Sequence, residues 1–369
     1  MAVKPELPAL HPRDGHQVES ALTAIYSWNY EPEIDQIRTL YANALDRQWI
    51  ALRDLDWESD LDREAFTGTF SMGGIPISET SFWKGLPLET RWNVSRCSAA
   101  FMLSNFLHGE QGALVVAGQM VSAVPHMDGK FYAATQTLDE ARHVEVFAAY
   151  IEKLEEVHEI TPGLADLLDR VVTAEDWRFK AVGMQIVIEG LALFLFRDMR
   201  NRTREPLLQK LLTYVSRDEA RHTGYGIKYL NHVVPTLTPR ESRELQDFAF
   251  ECTRALMASR AGLTMRDRIV QVWQDAGVDP ADVFRSLEKE RDAIAKTMQS
   301  QTGGRYGPVS GFIIPTLRAL GLYDERSAEL FKEMWASTQG AEAATRYANS
   351  DAELPDDLEH WVNEGYESL

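Results

Sequence analysis

The sequence predicts an all-α protein, built as a four-helix bundle with additional N- and C-terminal helices. The run Asp-Glu-Ala-Arg-His occurs twice, at residues 139–143 and 218–222. The glutamate of each run follows a lone glutamate, Glu110 or Glu189, by thirty residues. Apolar residues around both copies recur at the spacing of a helix face, and prolines separate the long segments. A duplicated pair of long helices explains these observations together.

The four bundle helices are predicted from apolar stripes that stop near prolines. We expect them at Leu88 to Val124, Asp128 to Val157, Ala174 to Arg200 and Pro206 to Val233. A short helix should start at Thr161-Pro162, because threonine often caps a helix and proline suits its first turn.

Further helices are predicted on both sides of the bundle. An apolar stripe marks Glu33 to Trp49, and the capping box Thr238 to Glu241 predicts a helix to about Arg260. The other C-terminal helices should begin at Asp279-Pro280 and span Phe312 to Leu322, Ser327 to Ala348 and Pro355 to Tyr366. We expect one domain over residues 1–369, with an N-terminal extension at 18–87, the four-helix core at 88–235 and accessory helices at 236–369.

Six residues of the duplicated segments are candidate metal ligands. Glutamate and histidine three positions apart project from one helix face, because three residues cover just under one turn. Two such helices and two with a single glutamate can surround two iron or manganese ions. The candidate ligands, which are also the candidate catalytic residues, are Glu110, Glu140, His143, Glu189, Glu219 and His222. Four carboxylates balance two divalent ions if both histidines are neutral, and this ligand set suits iron or manganese better than zinc.

A third Glu-x-x-His pair, Glu155 and His158, has the same spacing by chance. It lies in a charged run at a predicted helix end, where we expect it to face water. Glu189 instead lies in the apolar run 185–196, which contains no basic residue. A buried charge without a partner is costly, so a cation must reach Glu189 from elsewhere in the fold.

Composition and charge exclude several classes of protein. With 369 residues, 44% hydrophobic, the chain can bury a large core, and a net charge of −18 argues against a nucleic-acid partner. Cys97 and Cys252 are the two cysteines, so no disulfide framework is expected, which fits a cytoplasmic protein. No secretory signal is expected at the N-terminus, and no segment is expected to span a membrane, since the longest apolar stretches are short or carry Glu189.

Over roughly residues 90 to 235, the paired motifs with Glu110 and Glu189 resemble the ferritin-like superfamily, in particular bacterial di-iron monooxygenases and ribonucleotide reductase small subunits. The resemblance implies two Fe ions, with Mn/Fe as a second form, and O2 as co-substrate. It also implies a small-molecule substrate, an electron donor such as a ferredoxin or a reductase, and a homodimer. The reaction would be hydroxylation, N-oxygenation or desaturation of a small, hydrophobic or aromatic molecule.

Two other functional classes stay open beside the oxygenase. The first is a ferroxidase or iron store, although storage cages use a shorter chain. The second is a ligand-binding oxidase or a ribonucleotide-reductase-like Mn/Fe subunit.

The resemblance also implies a layer of residues behind the ligands. Asp139 and Asp218 should each accept a hydrogen bond from a ligand histidine, which fixes the imidazole and raises its basicity. Arg142 and Arg221 could pair with these aspartates, either as part of the site or as ordinary salt bridges between helices.

Three positions depart from the patterns of relatives. Phe147 stands where radical-forming reductases keep a tyrosine, which disfavours a tyrosyl-radical subunit. Leu193 replaces the threonine of multicomponent hydroxylases, so protons must come by another route, for which Gln185, Thr137 and Thr223 are candidates. Val215 replaces a third histidine found in arylamine N-oxygenases, which disfavours that branch.

The residues one helical turn from the ligands are the candidate lining of a substrate pocket. Most are apolar, which suits a hydrophobic or aromatic molecule but is also typical of plain core. They are Phe106, Ala113, Leu114, Gln136, Phe147, Gln185, Ala192, Leu193, Phe196, Val215 and Gly226.

Overall fold

The computed structural model describes residues 17–67, 77–261, 263–292, 294 and 307–339, and every regular element in these ranges is helical. The all-α prediction is therefore confirmed. The helices are α1 (Asp35–Asp46), α2 (Ala51–Asp54), α3 (Arg63–Phe66), α4 (Ser81–Gly85), α5 (Leu88–Ala123), α6 (Met127–Glu152), α7 (Pro162–Thr173), α8 (Trp177–Ala181), α9 (Glu189–Arg202), α10 (Pro206–Val233), α11 (Pro239–Ala261), α12 (Leu263–Asp275), α13 (Pro280–Lys289), α14 (Ile314–Ala319) and α15 (Glu325–Gln339). Short 3₁₀ turns lie at Ile77–Glu79 and Val234–Thr236, and π-helical segments at Val182–Ile188 and Val309–Ile313.

The bundle consists of α5, α6, the continuous helix Trp177–Arg202 and α10. α5 packs along α6, α9 packs along α10, and α6 also contacts α10. α5 and α10 keep their predicted bounds almost unchanged, whereas α6 ends at Glu152 rather than Val157. The start of α10 is fixed by Glu205, whose carboxylate accepts hydrogen bonds from the backbone N–H groups of Leu207 and Leu208 at 3.2 and 2.7 Å.

The third bundle helix differs from the regular helix expected at Ala174 to Arg200. It begins later, at Trp177, because Asp176 caps it by accepting a hydrogen bond from the backbone N–H of Arg178 at 2.8 Å. Its middle part, Val182–Ile188, is π-helical and ends directly before Glu189. Single π turns inside α-helices occur often at functional sites.

Two hydrophobic clusters divide the bundle along its length. The larger cluster contains Tyr132 and Tyr225, and the second contains Phe147 and Phe196. On each of the four helices, residues of one cluster precede the candidate ligand positions and residues of the other follow them. The order of the clusters shows that α5 and α10 run in one direction and α6 and the third helix in the other. The ligand positions therefore lie at mid-bundle, with apolar core above and below.

The N-terminal helix α1 packs against α6 and α10. Its first residues have no side-chain cap of their own, and Asp128 on α6 replaces one. The Asp128 carboxylate accepts hydrogen bonds from the backbone N–H groups of Glu33 and Ile34 at 2.8 and 2.9 Å and pairs with Arg38. This contact fixes the path of residues 47–50, which reach the back of the site.

Among the C-terminal helices, α11 and the second π segment contact the third bundle helix, α15 packs on α11, α12 contacts α5, and α13 contacts α4. The predicted capping box is present, because Glu241 accepts hydrogen bonds from the backbone N–H and hydroxyl of Thr238. Phe312, from the second π segment, packs so closely on Gly190 that a Cβ atom there would lie 2.2 Å from Phe312 Cε1. The predicted helix at Pro355 to Tyr366, and the end of the one at Ser327 to Ala348, fall outside the described residues.

One described helix, Trp177–Arg202, is long and apolar enough to cross a membrane by length and composition alone. Of its most apolar window, 72% is buried inside the bundle. The same helix carries the buried Glu189 into the bundle interior. These facts indicate a core helix.

Candidate metal centre

The structure brings the six candidate ligands together at mid-bundle, all of them buried. They form two groups, and the ligand atoms within each group lie within 4.8 Å of one another. Glu110, Glu140, His143 and Glu219 form the first group. Glu140, Glu189 and His222 form the second, so Glu140 belongs to both. Two ions that share a carboxylate fit this arrangement.

Both histidines direct their Nδ1 atom toward the glutamate carboxylates of the cluster. His143 Nδ1 lies 3.2 Å from Glu110 Oε2, 3.2 Å from Glu140 Oε2 and 3.1 Å from Glu219 Oε1. His222 Nδ1 lies 3.0 Å from Glu140 Oε1 and 3.8 Å from Glu219 Oε2. Glu219 therefore also reaches toward both histidines, as a second shared carboxylate would.

Several buried atoms of the cluster lack a hydrogen-bond partner among the described residues. They are Glu140 Oε2, Glu189 Oε2, both carboxylate oxygens of Glu219 and His222 Nδ1. A buried polar atom without a partner costs about 1–3 kcal/mol, and more if it is charged. All of these atoms are good ligands for iron or manganese. The residues present therefore fit a pair of bound metal ions.

The pKa values of four cluster residues are shifted in the direction that adds positive charge. Burial and the neighbouring Glu219 raise the pKa of Glu110 well above its usual value, and burial likewise raises the pKa of Glu189. Burial opposes a charge on His143 and His222, but the surrounding carboxylates outweigh it and raise the pKa of both well above normal. Protons thus supply the charge that metal cations would bring.

Behind the ligands, the two halves of the bundle are cross-connected. His143 on α6 has its Nε2 atom 3.2 Å from Asp218 Oδ2 on α10, and His222 on α10 has its Nε2 atom 3.3 Å from Asp139 Oδ2 on α6. An imidazole that donates its Nε2 proton to a carboxylate keeps a lone pair on Nδ1, the atom that faces the cluster. The expected hydrogen bonds, in which each histidine donates to an aspartate, are present, and each pairs a histidine with the aspartate of the opposite half.

Both arginines of the motifs pair with these aspartates. Arg142 and Arg221 each contact the aspartate three residues before them on their own helix. Arg142 Nη2 also lies 3.2 Å from Asp218 Oδ2, and Arg221 Nη2 lies 3.7 Å from Asp139 Oδ2. Two arginines balance two aspartates, so the outer layer is neutral by itself. The four inner glutamates are left to be balanced by metal.

Gln48 and Trp49 complete this outer layer, and the sequence pattern did not predict either residue. Trp49 Nε1 donates a hydrogen bond to Asp218 Oδ2 at 2.8 Å, and Gln48 Nε2 donates one to Asp139 Oδ1 at 3.2 Å. Arg142 lies over the Trp49 ring, 4.7 Å from its centre. Both residues follow α1 in the chain, and no motif distinguishes them from packing residues.

The polar members of the predicted pocket lining have different surroundings. Gln136 Nε2 donates hydrogen bonds to Glu189 Oε1 at 2.7 Å and to Glu140 Oε1 at 3.2 Å, which holds two ligands of the second group. The buried amide of Gln185, in the π segment, has no hydrogen-bond partner among the described residues. Gln185 packs on Gly226, where a Cβ atom would lie 2.5 Å from Gln185 Cβ.

The apolar members of that predicted lining fall into two groups rather than one wall. Phe106, Phe147, Ala192, Phe196 and Val215 lie in the second hydrophobic cluster, where Phe106 and Phe196 have ring centres 4.9 Å apart. Ala113 and Leu193 lie in the larger cluster, and Leu114 is half-buried on α5. The aromatic rings of the first group fill the space beside the ligands with their own packing.

Glu155 and His158 lie beyond the end of α6, outside the cluster. They are half-buried rather than fully in water, because His158 contacts Arg268 and the ring of Phe101. Their Oε2 and Nε2 atoms are 3.7 Å apart. The pair forms a surface contact between helices.

Buried Glu-x-x-His pairs on α6 and α10, faced by single glutamates on α5 and α9, define the helix-bundle proteins that bind two metal ions through carboxylates and imidazoles. Residues 32–301 match the sequence profile of the family described as P-aminobenzoate N-oxygenase AurF. The chain belongs to this family. It is thus an oxidoreductase of the di-iron oxygenase type that acts on a small molecule.

Family membership corrects one expectation. The interpretation that Val215 places the chain outside the arylamine N-oxygenases is wrong at the level of the family. Val215 is buried with Phe147 and Phe196, so no third histidine reaches the cluster from this position. One residue beside the ligand set does not decide the family of the whole chain.

Solved structures give weaker likenesses. A mutant of an R2-like ligand-binding oxidase with anaerobically reconstituted Mn/Fe cofactor is 17% identical, with a TM-score of 0.42, over 70% of this chain and 92% of its own. An R2-like ligand-binding oxidase with aerobically reconstituted metal cofactor after photoconversion is 14% identical, with a TM-score of 0.41, over the same shares. The comparison with curated proteins gives no match.

Proposed function

We propose that this protein is an O2-dependent di-iron oxygenase that N-oxygenates a small aromatic amine. The observation that carries the proposal is the buried cluster of four glutamates and two histidines at mid-bundle, with ligand atoms left unpartnered by the described residues. The name of the family, P-aminobenzoate N-oxygenase, supports an aromatic amine as substrate.

In this proposal the six side chains hold two iron ions, and Mn/Fe is the alternative pair. Glu110, His143 and Glu219 would hold the first ion and Glu189 and His222 the second, while Glu140, which belongs to both ligand groups, would be available to either. When bound, the metal pair supplies the activation of O2 and the oxidising power for the reaction.

The protein's own residues supply orientation, charge balance and a dry site. Gln136 holds Glu140 and Glu189 in place, while Asp139 and Asp218 fix the two imidazoles. Phe106, Phe147 and Phe196 pack together on the side of the second cluster. Their rings exclude water there and offer an apolar surface to an aromatic ring that displaces them.

Proton delivery does not use a threonine four residues after Glu189, because Leu193 at this position is buried and apolar. The buried Thr223 hydroxyl and the Gln185 amide have no hydrogen-bond partner among the described residues, and both lie on the third and fourth bundle helices that carry Glu189 and His222. We propose these two groups as the polar route to the site. The electron donor is proposed to be a ferredoxin or a reductase, and the protein is proposed to act as a cytoplasmic homodimer.

The proposal is tested by loading the protein with ferrous iron without oxygen, and then adding O2 together with p-aminobenzoate or other small aromatic amines. The measurements are O2 consumption and oxygenated amine detected by mass spectrometry. Protein loaded with zinc, which has no redox chemistry, is the matched control. Equal O2 consumption by the iron-loaded and zinc-loaded protein contradicts the proposed function.

A further inference from the structure

A chain of aromatic side chains leaves the metal centre on the side of the larger hydrophobic cluster. It starts at Tyr132, one helical turn before Gln136 on α6, and at Tyr225, three residues after His222 on α10. The two rings are stacked, with centres 4.6 Å apart and an angle of 27° between their planes. Gln136 donates hydrogen bonds to Glu189 and Glu140, so the chain of rings starts one helical turn from the candidate ligands.

The chain continues outward through short steps. The Tyr225 and Tyr229 ring centres are 5.5 Å apart, and those of Tyr229 and Trp177 are 4.6 Å apart. Trp177 is half-buried and lines a surface cavity of about 470 Å³ together with His126. Four aromatic side chains in contact thus connect the neighbourhood of the metal centre to solvent.

The three tyrosines of this chain of rings differ in the hydrogen-bond partner of the hydroxyl group. The Tyr132 hydroxyl has no partner among the described residues, and the Tyr225 hydroxyl donates to the backbone carbonyl of Gly129 at 3.1 Å. The Tyr229 hydroxyl lies 2.9 Å from His126 Nδ1 and 3.4 Å from the backbone N–H of His126. It can donate its proton to the imidazole while it accepts from the backbone.

The fold makes room for this contact at one position. A Cβ atom at Gly129 would lie 2.7 Å from Tyr229 Cε1 and 2.9 Å from its hydroxyl oxygen. Glycine there lets the Tyr229 ring lie against the α6 backbone, next to His126. Burial lowers the pKa of His126, which favours the neutral imidazole with a free lone pair, while Glu33 and Asp128 oppose this effect and His232 adds to it.

Tyrosine and tryptophan are the side chains most easily oxidised by one electron, and an oxidised phenol gives up its proton at once. A base in hydrogen-bond contact therefore decides which tyrosine holds the oxidised state. Of the three tyrosines in this chain of rings, Tyr229 is the one that contacts an imidazole in the described part of the structure. Trp177 beside it gives access to reductants in solution.

We propose that Tyr229 and His126 form a redox-active pair that removes excess oxidising power from the metal centre when no substrate is bound. The inference rests on the proposed oxygenase function. Tyr229 transfers one electron through Tyr225 and Tyr132 to the over-oxidised centre, and its phenolic proton moves to His126 Nδ1. Tyr229 thereby becomes a neutral phenoxyl radical and His126 an imidazolium, and the electron would be accepted by the oxidised metal pair that the site holds in the proposal.

The pair is restored by a small thiol or an ascorbate-type reductant at the Trp177 surface. The reductant delivers one electron to the Tyr229 radical, and the proton on His126 returns to the phenolate oxygen. The net result is one reductant oxidised by one electron for each oxidising equivalent removed from the centre. Side chains around the metal ions are thereby spared from oxidation.

The test uses the full-length protein loaded with ferrous iron and mixed with O2 without substrate. Electron paramagnetic resonance of freeze-quenched samples, with ring-deuterated tyrosine for assignment, detects the radical, and peptide mass spectrometry maps oxidised residues. We expect a tyrosyl signal in the native protein and its loss in Tyr229→Phe and in His126→Gln, which keeps the aromatic chain but removes the base. Oxidation of residues near the ligands should increase in both variants.

Tyr323→Phe is the matched control, because the Tyr323 hydroxyl is buried without a partner among the described residues and its ring packs on Phe331, outside the chain of Tyr132, Tyr225, Tyr229 and Trp177. Iron content and melting temperature show whether each variant is folded. An unchanged radical and unchanged oxidation pattern in Tyr229→Phe would mean that the rings are packing residues only, and would overturn the proposal. So would O2 consumption by the native protein without any tyrosyl signal.

If the iron-loaded protein consumes no O2, the proposed oxygenase function fails, and a second measurement decides the redox pair. A flash-generated one-electron oxidant is then applied to the metal-free protein. Preferential oxidation of Tyr229, lost in His126→Gln, supports the pair. Oxidation of Tyr229 no faster than that of Tyr323 overturns it.

Discussion

His143 on α6 is held by Asp218 on α10, with 3.2 Å between Nε2 and Oδ2, and the same contact is repeated between His222 and Asp139 in the opposite direction. Each Glu-x-x-His motif therefore contributes one histidine to the buried cluster, and the aspartate beside it contacts the histidine of the other motif. The aspartates are in turn held by Arg142 and Arg221. If the six residues hold two ions as proposed, we expect this reciprocal layer to couple the two metal positions.

Replacing Asp218 by asparagine should lower the affinity for ferrous iron by about 10–100-fold, because the amide no longer fixes the His143 imidazole or raises its basicity. Equilibrium titration with ferrous iron under anaerobic conditions measures the change. Asp198→Asn is the control, since Asp198 pairs with Arg202 on the exposed side of α9. Equal iron affinity in both variants would show that the aspartate layer is structural.

Replacing Glu189 by glutamine should reduce bound iron from about two ions per chain to about one, because Glu189 belongs to the second ligand group alone. Glu140→Gln should reduce binding of both ions, since Glu140 belongs to both groups. Metal analysis after desalting gives the stoichiometry. Glu155→Gln, in the Glu-x-x-His pair outside the cluster, should keep the native content. The ligand assignment is wrong if Glu189→Gln also keeps it.

Replacing Gly190 by alanine should lower the free energy of unfolding by about 1–3 kcal/mol, because the added methyl group meets the Phe312 ring. Thermal denaturation measures this change. Gly118→Ala is the matched control: Gly118 lies inside α5, and a Cβ atom there would have nothing within 4 Å, so alanine should stabilise by about 0.5–1 kcal/mol. Adding Phe312→Leu should recover part of the loss in Gly190→Ala, and the absence of any recovery would rule out this contact as its cause.

Lys180 predicts a specific pH dependence of stability. Its buried ammonium group donates to Gln119 Oε1 at 2.7 Å and to the carbonyls of Val171 and Val172, at the end of α7, at 3.2 and 2.7 Å. Burial lowers the pKa of Lys180 from 10.5 to about 8. From about pH 8 to about pH 10.5 the unfolded chain therefore binds more protons at this residue than the folded chain, and this contribution to stability rises with pH.

Urea denaturation of the native protein and of Lys180→Met over this pH range tests the sign. The free energy of unfolding of the native protein should gain relative to that of the variant as the pH rises. A difference between the two proteins that stays constant with pH would contradict the lowered pKa.

The sequence predicted those features that depend on local pattern or on repetition. The bounds of α5 and α10 follow from apolar stripes and prolines, and the six clustered side chains follow from the duplicated spacing. The π segment before Glu189 was not predicted, because its apolar residues are buried on every side and show no periodicity. The wider turn is tied to packing across the bundle, as in the contact between Gln185 and Gly226.

The layer of residues behind the candidate ligands was also only partly predictable from the sequence. The sequence indicated that Asp139 and Asp218 hold the histidines, but the pairing across the two halves depends on how α6 and α10 meet. Gln48 and Trp49 are far from the motifs in the chain and reach Asp139 and Asp218 because α1 packs on α6 and α10, with its start held by Asp128. Contacts of this kind are a property of the assembled bundle.

The repeat of the ligands is not matched by a repeat of the backbone. Glu110 lies within an uninterrupted α-helix of 36 residues, whereas Glu189 follows directly on a seven-residue π segment that is braced by Gly190 and Phe312. The two matching carboxylates are thus carried by backbones of different helical geometry. In the proposed centre, two ions with matching ligands would be held by unlike stretches of helix, which gives the protein a means to distinguish them.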